Sequence, residues 1–506
     1  MFSGKLQIYE GASMRRLSKS KLLAYRQCPR RLWLEIHRPD LNITNAETEA
    51  NFLVGHQVGD IARGLYDPNG KGVLINIESE GFDQAATHTQ ALLGSKQPIF
   101  EGTFVTREAL VLSDVLLPVH QGWRMVEVKS STSVKDYHRD DVAIQSLVAR
   151  DAGLALKSVS LAHIDNTWIY PGSEDYQGLL VEEDLSDQAF SRNGEVRQWI
   201  AGARQTMAGG EPEVATGPQC STPFACGFYT HCSAFEPQAE YPIAWLPSFR
   251  KTEMLRKEGI LDMKDLPDAI SLTEKQQLVR NMTLSGKSYF DAEGAVADLK
   301  PHPLPGYFLD FETIQFAIPI WKGTKPYQQI TFQFSIHRLG VLGKLQHEAF
   351  LDLSGNDPSR AFAEKLIAAC GDNEPVFVYN AAFERTRIAE LAERFPALEK
   401  RLLNINERIV DLLPVARERY YHPSQKGSWS IKAVLPALVA ELSYDNLEGV
   451  QNGGGAQAAY LEAIHPQTSE NRKQTLERQL LEYCKLDTYA MVRLWQVFAG
   501  KTHWRL

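Results

Sequence analysis

The sequence lacks any apolar run of about 18 residues, which is the length that a membrane-spanning helix requires. Its first residues, Met1-Phe-Ser-Gly-Lys-Leu-Gln, also lack the apolar core of a signal peptide. Cysteine is scarce, with 6 in 506 residues, which argues against a disulfide framework in a long intracellular chain. We therefore expect a soluble cytoplasmic protein with no membrane association.

An excess of positive charge is also missing. The chain has 54 Lys and Arg against 62 Asp and Glu, and its net charge is -8. No global basic field therefore indicates nucleic-acid binding, and any basic surface must be local. One candidate surface is the stretch 14–21 with Arg26, Arg30 and Arg31, where several cations could meet phosphates. The alternative is an ordinary solvated helix face.

The length predicts several domains. At about 100 to 200 residues per domain, 506 residues correspond to two to four domains. Short amphipathic segments broken by Gly and Pro follow the last of a group of cysteines and indicate a small helical connector. The Pro-rich piece 300–305 marks its end. We predict an α/β protein with domains at 1–235, 236–303 (the connector) and 304–506.

A hairpin with charged residues organises the first domain. The β-branched runs 114–118 and 126–130 are separated by a polar turn near 121–122, a pattern typical of two antiparallel strands. Because side chains alternate along a strand, Glu127 and Lys129 share one face while the valines beside them face the core. With Asp114 on the neighbouring strand, two carboxylates could hold a divalent cation while Lys129 orients water or steadies phosphate.

The residues around this hairpin fall in a recognisable order. A helix predicted over 51–63 presents His56, and residues 140–145 open another helix that contains Gln145. The order His, Asp, E-x-K, Gln resembles the PD-(D/E)XK nuclease superfamily. More narrowly it resembles the RecB-like branch, which includes the CRISPR-associated iron-sulphur exonucleases and the AddB nuclease domain. The resemblance covers roughly the first half of the chain.

This resemblance implies a role for each matching residue. His56, Asp114 and Glu127 would be metal ligands, Lys129 the catalytic lysine and Gln145 the glutamine of the family's Q-x-x-x-Y motif. The chain departs from the motif at its last position, where Ala149 replaces tyrosine. The resemblance therefore supports the metal site more strongly than it supports a substrate-positioning role for this helix.

Four of the six cysteines flank these motifs. Soft thiolates select iron-sulphur clusters or zinc, and four of them complete either kind of site. One amino-terminal cysteine with a later triplet resembles the RecB-like iron-sulphur nucleases, although those families commonly show C-x2-C and then C-x5-C, whereas both gaps here hold five residues. The resemblance implies a 4Fe-4S cluster, with zinc as second choice. The proposed ligands are Cys28, Cys220, Cys226 and Cys232; Cys370 and Cys484 are predicted to be core residues.

A second set of carboxylates lies in the last third of the chain. The apolar stretch 307–313 predicts a strand with Asp310 and Glu312 on one face. Residues 375–385 predict a buried strand that enters a helix near Glu384. Residues 478–491 predict a helix that places Tyr483 and Asp487 one turn apart.

These three segments with their acidic residues resemble the DEDD exonucleases of the DnaQ-like, ribonuclease-H-fold group. The resemblance covers roughly residues 304–506. The resemblance implies that Asp310, Glu312 and Asp487 bind two divalent ions, Mg²⁺ or Mn²⁺, and that Tyr483 orients the attacking water. Glu384 stands where the family has aspartate. Asp411 could complete the site, although an acid at a strand end is commonly a cap or turn residue.

These motifs predict a metal-dependent nuclease that cleaves DNA, exonucleolytically and at single-stranded or unwound ends. The second centre would act 3′ to 5′ by resemblance. The whole arrangement also resembles an uncharacterised bacterial family in which an exonuclease-like region follows a RecB-like nuclease. Two alternatives stay open: a nucleic-acid-binding or redox-sensing protein with one or both centres inactive, and an RNase.

Overall fold

The computed structural model describes residues 16–43, 46–439, 441–444 and 447–504, with the backbone alone for residues 46–51. Strands and helices alternate along most of this length, so the architecture is mixed α/β, as the sequence predicts. Within the described ranges, no helix combines the length and the apolar character needed to cross a bilayer.

The chain divides into two compact units. Unit 1 contains the residues up to Glu236 together with Phe316–Tyr327, and unit 2 contains Pro237–Gln315 and the residues from Gln328 onwards. The predicted connector, residues 236–303, falls almost entirely within unit 2.

Unit 1 is built around one sheet with helices between its strands. Its strands are β1 (Leu17–Ser18), β2 (Val73–Leu74), β3 (Ile99–Val105), β4 (Ala109–Val119), β5 (Gly122–Lys129), β6 (Leu156–Ile164) and β7 (Leu180–Asp184). Its helices are α1 (Lys19–Gln27), α2 (Pro29–His37), α3 (Ala46–Tyr66), α4 (Ile77–Glu80), α5 (Phe82–Leu92), α6 (Asp136–Asp151), α7 (Ser186–Ser191), α8 (Asn193–Ala208) and α9 (Tyr229–Ser233).

The strand order of the unit 1 sheet is β2-β3-β4-β5-β6-β7, and β1 pairs with β4. Strands β3, β4 and β5 form an antiparallel meander, and the predicted hairpin is confirmed as β4 and β5. The chain then passes through α6 and returns as β6, parallel to β5. A parallel return needs such a crossover, because two parallel strands cannot be joined by a tight turn.

Both faces of the unit 1 sheet are covered. Val126 belongs to an apolar cluster on one face, whereas Met125 belongs to the larger core on the other face, as strand alternation requires. Helix α6 lies against that larger core and is buried from Asp141 to Ala149. Ala149 is itself fully buried, so the position at which the family motif has tyrosine is a packing position here.

Unit 2 has a second sheet and a larger set of helices. Its strands are β8 (Tyr289–Phe290), β9 (Gly306–Ile314), β10 (Ile330–Leu339), β11 (Leu345–Leu351), β12 (Val376–Val378), β13 (Ile409–Asp411) and β14 (Tyr420–Tyr421). Its helices are α10 (Thr252–Lys257), α11 (Glu274–Ser285), α12 (Ala292–Leu299), α13 (Ser359–Ala369), α14 (Ala382–Arg394), α15 (Glu399–Glu407), α16 (Leu412–Arg419), α17 (Ile431–Leu438), α18 (Gly453–Ile464) and α19 (Glu470–Phe498).

Strand β9 is the centre of the main unit 2 sheet, whose order is β11-β10-β9-β12-β13. Strands β9, β10 and β11 are antiparallel neighbours, and β12 and β13 run parallel to β9. Leu309 and Phe311 of β9 enter a core formed with α13, α14 and α15. Phe308 points to the opposite face, where its ring contacts Trp495 of α19. Asp310 therefore also points towards the face that α19 covers.

The two cysteines outside the proposed metal group are core residues, as predicted. Cys370 follows α13 and Cys484 lies within α19, and both side chains are fully buried.

Candidate functional site

Three strands of unit 1 bring three carboxylates next to one another. Val115 of β4 pairs with Val126 of β5, so Asp114 lies across from Glu127. On the other side of β4, the register of β3 places Glu101 across from Asp114. One oxygen of Asp114 accepts a hydrogen bond from the backbone N–H of Val128 at 2.7 Å. The hairpin therefore holds Asp114 beside Glu127.

Glu127 is buried, with 1% of its surface exposed, and both of its oxygens have partners. Its Oε1 accepts from the Nζ of Lys129 at 2.5 Å and from the Nζ of Lys19 at 2.8 Å. Its Oε2 accepts from the amide of Gln145 at 2.5 Å. The structure thus brings Glu127, Lys129 and Gln145 into direct contact, and it adds Lys19 from α1.

Asp141 of α6 completes this group. Its carboxylate contacts Lys129 at 2.7 Å and Lys19 at 3.2 Å, and it accepts from Gln145 at 2.9 Å. The two lysines therefore bridge the same two buried carboxylates. Together these residues form the unit 1 cluster: Lys19, Glu101, Asp114, Glu127, Lys129, Asp141 and Gln145.

The charges of this cluster shift the acids in opposite directions. Burial raises the pKa of Asp114, and the neighbouring charge of Glu127 raises it further. Burial also raises the pKa of Glu101, again with a contribution from Glu127. Burial would raise the pKa of Asp141 as well, but the ammonium groups of Lys129 and Lys19 outweigh it and lower the pKa below its usual range. Asp141 is therefore held ionised by the protein itself.

Three members of the cluster are absent from the sequence prediction. Asp141 precedes Gln145 by one helical turn, and this spacing was a usable signal. Lys19 lies in the predicted basic stretch, but nothing in the sequence connects it with Glu127, which is 108 positions away. Glu101 has a left-handed backbone, with φ of 55°, in the middle of a strand. For a residue other than glycine that conformation costs about 1–2 kcal/mol and is typical of functional sites.

His56 lies at the edge of the cluster. It is exposed on α3, and its charge lowers the pKa of Glu101, which burial raises. Within the described residues, the ligand atoms of His56, Asp114 and Glu127 do not all lie within 4.8 Å of one another, so the role of His56 as a metal ligand stays a prediction. The sequence places His56 on a helix correctly, but it does not fix the position of that helix over the sheet.

The predicted basic stretch is mostly neutralised by the chain itself. Met14 and Arg15 lie outside the described residues. The other cations of the stretch contact carboxylates, which reduces the free positive charge available to a phosphate backbone. These pairs are Arg16 with Asp83, Lys19 with Glu127 and Asp141, Lys21 and Arg31 with Glu35, Arg26 with Asp140, and Arg30 with Glu211.

The four predicted cysteine ligands line one small cavity of unit 1. Burial raises the pKa of the Cys226 thiol, and it raises that of Cys232 to about 11. Among the described residues, no three of the four sulphur atoms lie within 4.8 Å of one another. A tetrahedral zinc site would need sulphur atoms about 3.8 Å apart, because each Zn–S bond is about 2.3 Å. The thiols therefore share a cavity, but they are spaced more widely than a single zinc ion requires.

Unit 2 contains a tighter acidic group, the unit 2 triad of Asp310, Glu312 and Asp487. Ligand oxygens of these three carboxyls lie within 4.8 Å of one another, and among the described residues this is the one set of three that could hold a metal ion. Asp310 and Glu312 come from β9, as the period-two spacing predicts, and Asp487 comes from α19. Glu312 and Asp487 are buried, with 8% and 6% of their surfaces exposed.

Burial disfavours ionisation of all three acids of the triad, and neighbouring acids disfavour that of Asp310 and Glu312 further. Burial, and then the charge of Asp487, raise the pKa of Glu312 to about 8. Burial raises the pKa of Asp487 to about 6. The pKa of Asp310 is raised by burial and by the charges of Asp487 and Glu312. Hard oxygen ligands in this arrangement suit Mg²⁺ or Mn²⁺, whose charge would reverse these shifts.

Two tyrosines and one lysine border the triad. The hydroxyl of Tyr444 donates to Asp487 at 2.6 Å, and the ring of Tyr483 lies 6.4 Å from that of Tyr444. The Nζ of Lys432 lies over both rings, at 4.9 Å and 5.3 Å, and donates to the backbone carbonyl of Gln451. Its charge lowers the pKa of Glu312 and of Asp487. Tyr444 was missed, because it follows a loop with no recognisable pattern.

Glu384 lies near the triad but outside it. The side chain is 3% exposed, and burial raises its pKa to about 8. Its Oε2 has no hydrogen-bond partner in the described part of the chain. The charge of Glu384 contributes to the raised pKa of Asp310, so the two carboxyls are neighbours.

Asp411 has a structural role instead of joining the triad. It is the N-cap of α16, and its oxygens accept hydrogen bonds from the backbone N–H groups of Leu413, Asn380 and Ala381 at 2.9–3.0 Å. The prediction that Asp411 could complete the metal site is corrected in favour of the capping alternative.

Comparison with known families places one match on unit 2. The family model described as "Domain of unknown function (DUF2779)" matches residues 307–430. This span includes Asp310, Glu312 and Glu384, and it ends before Tyr444 and Asp487.

The relatives found are distant. The uncharacterized protein MG366 of Mycoplasma genitalium is 26% identical over 211 residues, covering 37% of this chain and 31% of its own length. Its homolog in Mycoplasma pneumoniae is 27% identical over 206 residues, with the same coverage. The chain therefore spans about a third of the length of these curated relatives. A solved structure described as "Crystal structure of SSO0001" covers 46% of this chain and 91% of its own, with 15% identity and a TM-score of 0.27.

Proposed function

We propose that this chain is a metal-dependent nuclease that hydrolyses DNA phosphodiester bonds, exonucleolytically and at single-stranded or unwound ends. The observation that carries the proposal is the unit 2 triad, three carboxyls within 4.8 Å of one another. Burial raises the pKa of each, and neighbouring acids raise those of Asp310 and Glu312 further. Unit 1 supplies a second, differently built centre.

The fold around the triad supports the assignment to DEDD-type exonucleases. An antiparallel meander continued by two parallel strands, with acids on the central strand and on the last long helix, fits a ribonuclease-H-like module. Asp310, Glu312 and Asp487 would hold the ions, with Glu384 as a further buried carboxyl. Bound Mg²⁺ or Mn²⁺ ions would activate a water molecule and stabilise the leaving oxygen.

The surrounding side chains of unit 2 supply orientation and charge. Tyr444 fixes one oxygen of Asp487 through its hydroxyl, which leaves the other oxygen available as a ligand. The ring of Tyr483 lies 6.4 Å from that of Tyr444. We propose that Tyr483 orients the attacking water. Lys432, held over both rings, offers a cation to a phosphate that approaches the triad.

The unit 1 cluster supports a PD-(D/E)XK centre. Asp114 and Glu127 lie across neighbouring strands, Lys129 contacts Glu127, and Gln145 binds the other oxygen of Glu127. These are the carboxylates, the lysine and the glutamine that the RecB-like resemblance implies. We propose that Lys129 steadies the scissile phosphate while the carboxylates hold a metal ion.

The cysteine cavity supports a bound metal group that joins the two ends of unit 1. Four soft donors line it, and soft thiolates select iron-sulphur clusters or zinc. The RecB-like resemblance ranks a 4Fe-4S cluster first and zinc second. The bound metal group would have a structural role, because its ligation would link residue 28 to residue 232. Anaerobic purification followed by iron and zinc analysis tests this, and Cys226→Ser should lower the bound metal without altering the triad.

The main experiment assigns cleavage to each centre. End-labelled single-stranded and duplex DNA are digested with Mg²⁺ or Mn²⁺ by the full chain and by the Asp310→Asn, Lys129→Ala and double variants. We expect each single variant to lose one cleavage pattern and the double variant to lose both, by at least about a hundredfold. If both single variants cleave as the parent does, the proposal is wrong.

One observation favours a second function for unit 1. Both oxygens of Glu127 are already bound by Lys19, Lys129 and Gln145, which is expected of a centre that binds nucleic acid without cleaving it. Loss of all cleavage in Asp310→Asn alone would select that alternative. Side-by-side digestion of matched DNA and RNA strands distinguishes a DNase from an RNase.

A further inference from the structure

Unit 2 contains an open cavity of about 470 Å³ whose lining does not include the residues of the triad. Its volume is within the range of small-molecule binding sites, about 300–1,000 Å³. The walls combine two aromatic rings with polar and cationic side chains. They include Tyr379, Asn380, Arg417, Trp429 and Ile431.

The two aromatic residues are fixed in place by their polar atoms. The hydroxyl of Tyr379 donates to the backbone carbonyl of Trp429 at 2.6 Å. The indole N–H of Trp429 donates to the carbonyl of Tyr420 at 2.8 Å. Because these polar atoms are already bonded, the rings can offer a ligand only their apolar surface. Such immobile rings suit stacking, since little conformational entropy is lost when a flat group binds.

Two polar groups on the same walls lack partners. Neither the guanidinium of Arg417 nor the side-chain amide of Asn380 has a hydrogen bond or an ion pair with any described residue. Both residues are exposed, and Asn380 has a left-handed backbone, with φ of 73°. Its backbone N–H is bonded to Asp411, so the position of the residue is fixed while its amide stays available.

Two short chain segments connect the lining of the cavity with residues whose charges act on the triad. Asn380 lies four positions before Glu384, whose charge acts on Asp310. Ile431 immediately precedes Lys432, whose charge acts on Glu312 and Asp487. A strand whose phosphate reaches the triad would therefore place a neighbouring nucleotide at the cavity.

The geometry points to this cavity as a binding site for an unpaired nucleobase of a single nucleic-acid strand. The half-buried ring of Tyr379 provides the stacking surface, and the edge of the buried Trp429 ring closes the wall beside it. The amide of Asn380 provides a donor and an acceptor for the edge of the base, and Arg417 meets the phosphate. A paired base is stacked within a duplex and cannot enter. The inference rests on the proposed nuclease function of unit 2, and it names single strands as the substrate of that centre.

Photocrosslinking tests where the base binds. A ten-residue single-stranded DNA with 4-thiothymidine at the last, second or third position from its 3′ end is irradiated with the full chain in EDTA, where cleavage is stopped. Trypsin releases residues 366–385, which contain Tyr379, and residues 427–432, which contain Trp429. We expect crosslinks in one or both peptides, and much weaker crosslinks from the same label in a blunt duplex.

Equilibrium binding measures the contribution of the cavity side chains. We expect Arg417→Ala and Tyr379→Leu each to weaken binding of the same single strand by about tenfold, in the range for loss of one stacked base. Arg401→Ala, an exposed arginine of α15 outside the cavity, is the matched control and should bind as the parent does. An oligonucleotide with abasic residues near its 3′ end should bind more weakly and should be insensitive to Tyr379→Leu.

The outcomes separate this inference from the proposed function. Crosslinks at Tyr379 or Trp429 in a protein without cleavage activity would retain the binding site and reject the nuclease. Cleavage that depends on Asp310, with crosslinks only outside the two peptides, would overturn the inference and keep the nuclease. Absence of both results would reject both, and equal affinity for abasic and normal strands would also overturn the inference.

Discussion

The unit 1 cluster and the unit 2 triad both gather buried carboxylates, but they balance the charge in different ways. In unit 1, Lys19 and Lys129 each contact both Glu127 and Asp141, so opposite charges alternate. In unit 2 the three acids face one another, and the nearby cation, Lys432, is exposed and held by tyrosine rings.

This difference determines which centre needs a metal ion to be stable. The lysines of unit 1 lower the pKa of Asp141, so this carboxylate stays ionised within the fold itself, whereas the pKa values of Asp114 and Glu101 are raised. In unit 2 the pKa of Glu312 is raised to about 8, so this acid retains its proton near neutral pH unless a cation replaces it. We conclude that unit 2 depends on divalent ions for its charge balance far more than unit 1 does.

Removal of Lys19 should have the largest effect. Lys19→Ala leaves Glu127 and Asp141 buried with a single ammonium group, and removal of one partner of a buried pair costs about 3–5 kcal/mol. Urea unfolding followed by hydrogen exchange of peptides from β5 and α6 measures the change in unit 1, while peptides from α19 report unit 2.

Lys21→Ala is the control for this measurement. Lys21 is in the same helix and pairs with Glu35 in a partly exposed position, so its loss should cost about 0.2–1 kcal/mol. An equal and small effect of the two substitutions would show that the lysines of unit 1 do not compensate its acids.

Divalent ions should stabilise unit 2 more as the pH rises. Because the folded pKa values of Glu312 and Asp487, about 8 and about 6, exceed the ordinary values, the folded state binds more protons than the unfolded state between about pH 4 and 8. Without metal, stability therefore falls as the pH rises through this window. Mg²⁺ at 100 times its dissociation constant should restore about 2.7 kcal/mol at pH 8 and less at pH 6.

Thermal unfolding with and without Mg²⁺ at both pH values checks this expectation. Asp310→Asn should remove most of the response to Mg²⁺, whereas Lys129→Ala in unit 1 should leave it intact. A stabilisation by Mg²⁺ that is independent of pH would contradict the raised pKa values.

The smallest effect is expected from the hydroxyl of Tyr444. Tyr444→Phe removes a hydrogen bond to Asp487 and should raise its pKa above about 6, by up to about one unit. The midpoint of Mn²⁺ binding against pH should rise accordingly, as measured by calorimetric titration.

Tyr460→Phe provides a matched comparison for that hydroxyl. Tyr460 is fully buried in the same unit, and its hydroxyl has no hydrogen-bond partner among the described residues. Its substitution should leave the midpoint unchanged. Equal shifts in the two variants would attribute the effect to packing rather than to the bond with Asp487.

The sequence predicted local features better than distant contacts. The hairpin of β4 and β5 and the strand that carries Asp310 and Glu312 follow from apolar alternation, which is a property of a few neighbouring residues. The participation of Lys19 and Tyr444 depends on contacts across 108 and 43 positions, and no local pattern encodes these.

The sequence also could not decide the role of a residue whose position suits two different roles. Asp411 follows a strand and precedes a helix, a position that suits either a ligand or a cap, and only the positions of three backbone N–H groups decide between them. His56 was placed on the correct helix, but the location of an exposed helix face depends on how that helix packs.

The same chemical change in both centres tests the central claim most directly. Glu127→Gln and Glu312→Gln each replace a buried carboxylate with an amide, and the stability of each unit is measured without metal at pH 8. We predict that Glu127→Gln destabilises unit 1 by about 3 kcal/mol, because two lysines lose a counter-charge. We predict that Glu312→Gln stabilises unit 2 by about 1 kcal/mol, because a repelling acid is removed. Destabilisation of both units to a similar extent would contradict the account.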